Sequence, residues 1–122
     1  MYELSVESHF AAAHQLRGYK GKCEAMHGHN WRVQVTVSSE TLNDIGLAID
    51  FVDLKAIANE VIQSLDHSFL NEVFPFTEIN PSSENIAKWL FDSIRKKIDD
   101  KNVSCSSVTV WESETSSATY FD

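Results

Sequence analysis

The chain has 122 residues and a formal net charge of −8, from 18 acidic and 10 basic side chains. That balance argues against nucleic acid or an anionic membrane as the main partner, since both demand surplus Lys and Arg. No apolar run approaches the roughly 18 residues of a membrane span. One domain, residues 1–122, is expected, long enough to bury roughly two thirds of the surface its unfolded form exposes. With two cysteines, Cys23 and Cys105, and no basic-then-apolar start, two free thiols and a cytoplasmic protein are expected.

The first element is "YELSVESHF", residues 2–10, which alternates as a strand. Tyr2, Leu4, Val6 and Phe10 share one face, and Glu3, Ser5, Glu7 and His9 the other, so His9 reads as a surface residue. Three alanines carry this strand region to His14. "WRVQVTVSS", residues 31–39, alternates more cleanly, with Trp31, Val33, Val35 and Val37 on a buried face. "DFVDLKAIANEVIQSLDH", residues 50–67, changes to helical spacing: Leu54, Ile57, Ala58, Val61 and Leu65 make a stripe, Asp50 is the N-cap, and Asp53 complements the dipole. A loop with Pro75 and Pro81 leads to a second helix over 81–98, with Ser82 as N-cap, Glu84 in the first turn and Arg95, Lys96 and Lys97 in the last. "SVTVWES" and "SATYFD" close the chain as two strands joined by a turn at Glu114–Ser116. The order β-β-α-α-β-β, with short links, predicts an α+β domain: a four-stranded antiparallel sheet with two helices on its apolar face.

The chemistry-bearing residues concentrate in "KCEAMHGHNW", residues 22–31. His27 and His29 are two apart, so they share a face with Trp31 and point toward the buried side. If the first two strands form a hairpin, His14 lies at the same end of the sheet. Three imidazoles with a fourth tetrahedral position open are the pattern of a catalytic zinc site; the alternative is ordinary core or loop histidines. Cys23 reads either as a fourth ligand or as a thiol activated by the cation. Asp66 and His67 end the first helix, as a proton relay or as a cap. Glu112 shares the face of Val108 and Val110, where a carboxylate needs a partner such as the two-donor edge of a heterocycle; otherwise the strand end turns out to solvent. No role attaches to Cys105.

In order along nearly the whole chain, "FAAAH", "CEAMHGH", "LDH", "NPSSENIAKWL" and "VTVWES" resemble the 6-pyruvoyl-tetrahydropterin synthase family, and most closely its bacterial 6-carboxy-5,6,7,8-tetrahydropterin synthase branch. The resemblance implies a T-fold whose trimers close a β-barrel, stacked into a homohexamer with active sites between subunits. It implies Zn2+ on His14, His27 and His29. It also implies Cys23 as the catalytic base, working with the Asp66–His67 pair, and Glu112 as the anchor of the pterin ring. The implied substrate is 7,8-dihydroneopterin triphosphate, and the product of the carboxy branch is the 6-carboxytetrahydropterin of queuosine precursor synthesis. Zinc would polarise the side-chain oxygens as a C–H proton leaves. Glu24, three residues before His27, resembles the residue of a branch that makes 6-hydroxymethyl-dihydropterin for folate, so a second substrate-contacting carboxylate is carried with it. A pyruvoyl product and a non-catalytic zinc or pterin-binding domain are the other readings. Arg17, Lys20 and Lys22 are the expected triphosphate cations.

Overall fold

The structure is a computed structural model and describes residues 1–22 and 24–122. Its two longest strands, β1 (Tyr2–His14) and β2 (His27–Ser39), pair antiparallel from Tyr2↔Ser39 to His14↔His27. Both run further than their apolar alternation suggested, because the same alternation continues through small and polar residues: Ala12 and His14 stay buried on β1. Phe10 and Trp31 face each other across the pair and stack at 5.7 Å, which fixes the register where the site begins.

A fifth strand corrects the four-stranded expectation. The sheet order is β3-β1-β2-β4-β5, with β3 (Ser68–Phe69), β4 (Ser104–Ser113) and β5 (Ser116–Tyr120). β3 runs parallel to β1 through Ala12↔Ser68 and Ala13↔Phe69, so the sheet is mostly, not wholly, antiparallel. Two residues carry no periodicity, which is why this strand leaves no mark on the pattern.

The first helix, α1 (Phe51–Ile62), starts where expected, with the Asp50 carboxylate accepting from the Val52 N–H at 2.8 Å. It ends earlier. Gln63–Leu65 tightens into a 3-10 turn that still buries Leu65, which explains the longer apolar stripe. Asp66 is then extended and His67 left-handed, at φ 55°. The second helix, α2 (Ser83–Lys97), is capped by Ser82, whose hydroxyl accepts from the Asn85 N–H at 3.1 Å. Both helices lie on one face of the sheet, α1 against β1 and α2 against β4 and β5. Val33, Val35, Val108 and Val110 from the strands meet Leu54, Ala58, Ile86 and Leu90 from the helices there. Among the described residues no helix is long and apolar enough to cross a membrane.

Candidate active site

β1 and β2 end side by side, and their last core-facing side chains are imidazoles. His14 and His27 are direct partners in the ladder, and His29 follows on the same face. The Nε2 atoms of His14 and His27 are 3.1 Å apart. Each Nδ1 is turned onto a carbonyl, His14 to Pro81 at 2.7 Å and His27 to Ala25 at 2.9 Å. A carbonyl can only accept, so each Nδ1 donates, and the tautomer this selects leaves Nε2 of each ring free to offer a lone pair to a metal. His29 Nε2 is buried without a hydrogen-bond partner: Glu112 Oε1 is 3.1 Å away, but out of hydrogen-bonding line. Burial pushes the His29 pKa below 6.5 and so favours the neutral, ligating form, an effect that the Glu112 carboxylate partly offsets.

His14, His27, His29 and Glu112 each offer one ligand atom, and these atoms lie within 4.8 Å of one another, the one such group among the described residues. A tetrahedral zinc with bonds of about 2.1 Å sets its ligands about 3.4 Å apart, a few tenths of an ångström beyond the two 3.1 Å contacts. The orphaned His29 nitrogen and the facing lone pairs therefore fit a bound cation.

Trp31 floors the cluster. Its ring is fully buried, 4.9 Å from His14 and 5.3 Å from His29, and its Nε1–H donates to the Ala12 carbonyl at 3.2 Å. Such an apolar wall keeps water from one side of the histidines.

Glu112 reaches the cluster through a β-bulge. Trp111 pairs with Ser117 and Ser113 with Ser116, so Glu112 is the extra residue of β4. Bulges re-aim side chains beside functional sites, and here the core-facing parity of Val108 and Val110 ends in a carboxylate directed at His29. Glu112 Oε2 lies 3.4 Å from the Ser83 hydroxyl, at the N-terminus of α2, where the dipole favours an anion.

The segment after β1 is held by side chains that imitate strand pairing. Asn71 accepts from the Gln15 N–H and donates to its carbonyl, and Asn80 does the same for Arg17. Between them, Glu24 Oε1 accepts from the Leu16 N–H at 3.0 Å, while the Glu24 N–H donates to the Leu16 carbonyl at 3.1 Å. Glu24 Oε1 is 3.9 Å from His27 Nδ1. The Arg17 guanidinium donates to the carbonyls of Ile79, Asn71 and Phe76. Arg17, expected to meet triphosphate, is thus a structural tie, while Lys20 and Lys22 stand exposed on the following turn.

Asp66 and His67 form a pair, with His67 Nδ1 2.9 Å from Asp66 Oδ2. They follow the 3-10 turn rather than ending the helix. Asp66 Oδ1 accepts from the Ala11 N–H, which holds its carboxyl below the usual range, with His67 adding to the effect. The His67 ring is 84% exposed and shares a shallow groove with Ala11, Ala13, Gly28, His29 and Asn30. Ala11, Ala13, Gly28 and Asn30 belong to the sheet face that the helices do not cover, so the pair and the metal-type cluster sit on different faces of one chain. Cys23 lies outside the described residues. Cys105 is buried, and burial pushes its thiol pKa up to about 11.

The geometry was legible in part. The three histidines and Glu112 could be read from strand parity. The Pro81 and Ala25 carbonyls, the Trp31 floor and the clasps at Glu24, Asn71 and Asn80 could not, because they depend on tertiary contacts.

Residues 3–122 match the model of the 6-pyruvoyl tetrahydropterin synthase family. The chain is 38% identical over 127 residues to a 6-carboxy-5,6,7,8-tetrahydropterin synthase of Synechocystis sp., covering 99% of this chain and 94% of that one. It is 34% identical over 103 residues to a dihydroneopterin monophosphate aldolase of Pyrococcus furiosus, covering 84% and 82%. Among solved structures, the 6-pyruvoyl tetrahydropterin synthase of Caenorhabditis elegans superposes with a TM-score of 0.85 over 99% of this chain and 95% of that one, at 23% identity, which shows the shared fold.

Proposed function

The chain belongs to the 6-pyruvoyl tetrahydropterin synthase family, and from that premise we propose that it is a zinc-dependent lyase. In this reading it converts 7,8-dihydroneopterin triphosphate to 6-carboxy-5,6,7,8-tetrahydropterin, acetaldehyde and triphosphate, the step that feeds queuosine precursor synthesis. Relatives named 6-carboxy-5,6,7,8-tetrahydropterin synthase support the reaction. The observation that carries the metal is the orphaned Nε2 of His29 beside two facing Nε2 lone pairs.

His14, His27 and His29 hold the ion, with tautomers set by the Pro81 and Ala25 carbonyls for the first two. Bound zinc supplies Lewis acidity to the oxygens of the substrate side chain. Trp31 keeps water from one side of that centre. The Cys23 Sγ, as thiolate, takes the C–H proton. His67 Nε2 returns a proton, its ring oriented by Asp66 through Nδ1. Glu112 receives the two-donor edge of the pterin, and Lys20 and Lys22 meet the triphosphate. Because Asp66–His67 and the histidine cluster lie on different faces of one chain, the pair serves a neighbouring subunit's cluster, in a homohexamer built as a dimer of trimers.

Chelation tests the metal role. Removal of metal is expected to stop consumption of 7,8-dihydroneopterin triphosphate, and stoichiometric zinc to restore it; full turnover by metal-free protein would reject zinc dependence. A second reading, cleavage to 6-hydroxymethyl-dihydropterin, is favoured by the presence of Glu24 and by the aldolase relative. The engagement of Glu24 with the Leu16 N–H supports the first reading, since that carboxylate oxygen is already committed.

A further inference from the structure

We propose that Asn80 is a positioning residue for the histidine cluster: its side-chain amide pins the Asn80–Pro81 segment to the chain that follows β1, and so holds the Pro81 carbonyl where it selects the metal-binding tautomer of His14. The proposal rests on the metal reading above.

The His14 ring is buried, and its Nδ1 meets the Pro81 carbonyl at 2.7 Å, an acceptor 67 residues away in the chain. His27 takes its acceptor, the Ala25 carbonyl, from two residues away. The His27 tautomer is thus set locally, and that of His14 by a tertiary contact that must itself be held in place. Three restraints hold it. Pro81 is buried, its ring fixes its own φ, and it keeps Asn80 extended. The Asn80 side chain makes both bonds of a strand pair with Arg17, Oδ1 accepting from the N–H at 2.8 Å and Nδ2 donating to the carbonyl at 2.9 Å. The Asn80 carbonyl then accepts from Asn85 Nδ2 at 2.9 Å, in the first turn of α2, which Ser82 caps. Pro81 is therefore gripped between the end of β1 and the start of α2, and Asn80 makes both connections.

A neutral imidazole carries its proton on either nitrogen, and only the ring protonated at Nδ1 can ligate through Nε2. A fixed acceptor at Nδ1 makes that tautomer the stable one; a displaced acceptor leaves a buried N–H unpaired, and the ring turns or moves its proton instead. An amide suits the task at Asn80 because it gives one bond and takes one, as a peptide group does, and brings no charge. An aspartate there would set a second acceptor against the Arg17 carbonyl. Asn71 provides an internal comparison. It makes the same pair of bonds to Gln15, directly after His14, but it does not adjoin Pro81.

The test has two readouts: chelator-competition titration of zinc, and the tautomer of His14 in the metal-free protein, from long-range 15N–1H spectra of histidine-labelled samples. In the unsubstituted protein His14 should carry its proton on Nδ1. Asn80→Ala is expected to weaken zinc binding at least about tenfold and to bring up the Nε2–H form of His14, with His27 unchanged. Asn85→Ala, which removes the grip from the helix side alone, should move both readouts the same way by less, and it carries the test where Asn80→Ala does not fold. Asn71→Ala should leave the His14 tautomer as it is. Asn80→Ala and Asn85→Ala proteins that lose stability in urea while zinc affinity and tautomer stay fixed would overturn the proposal. So would an Asn71→Ala protein that shifts the tautomer as far as Asn80→Ala does, since the effect would then run through the chain after His14 rather than through Pro81. Failure of the unsubstituted protein to bind zinc would sink the metal reading and the proposal's metal role with it; zinc binding that the Asn80 and Asn85 variants leave untouched, with the tautomer fixed, sinks the proposal alone.

Discussion

At the scale of the residue, His67 carries a conformation it does not prefer. A side chain at φ 55° has its Cβ crowded by the carbonyl, at a cost of roughly 1 kcal/mol or more. The surrounding contacts hold it there: its N–H donates to the Ala11 carbonyl at 2.6 Å and Asp66 grips its ring. Strain kept at an exposed imidazole is consistent with the proton-returning part proposed for it. His67→Gly is therefore expected to keep or raise stability, by up to about 1 kcal/mol, while turnover is lost; denaturation and kinetics on one preparation check this. His29 sets a pH dependence. Its pKa is lowered by burial, so as pH falls below 6.5 the unfolded chain takes up the proton before the folded one does. Stability of the metal-free protein should hold level above that pH and decline below it, as denaturant titrations between pH 8 and 5.5 would show. Replacing His29 with Gln should flatten the curve through that window.

At the scale of the element, the site depends on how strands end. The period-two pattern gave the dry faces of the first two strands and of the fourth, because one side of each meets the helices. It could not give the two-residue parallel strand, nor the early end of α1, since Leu65 keeps helical spacing inside a 3-10 turn. The histidines and Glu112 were visible by parity, but the bulge that makes Glu112 a neighbour of His29 arises from pairing with β5 and has no local sequence mark. The resemblance implies a substrate-contacting carboxylate at Glu24, and the structure adds that Glu24 holds the Leu16 backbone. A clasp needs an acceptor, not a charge. Glu24→Gln should retain most turnover, and Glu24→Ala should cost about 1 kcal/mol of stability. Loss of turnover in Glu24→Gln with stability intact would instead make Glu24 the working carboxylate.

At the scale of the whole molecule, one chain presents its histidine cluster on the helix-covered face of the sheet and its Asp66–His67 pair on the uncovered one. If both act on one substrate, they come from different subunits. His14→Ala and His67→Ala proteins should each be inactive, and co-refolded mixtures should regain part of the activity, since some sites then draw an intact half from each chain. Mixtures as inactive as their parents would place the whole site within one chain. The central claim, a zinc lyase of the carboxy branch, is tested most directly by the mass of the product that the zinc-loaded protein forms from 7,8-dihydroneopterin triphosphate. The account predicts 6-carboxytetrahydropterin with acetaldehyde released in equal amount; 6-hydroxymethyl-dihydropterin, or no product, would contradict it.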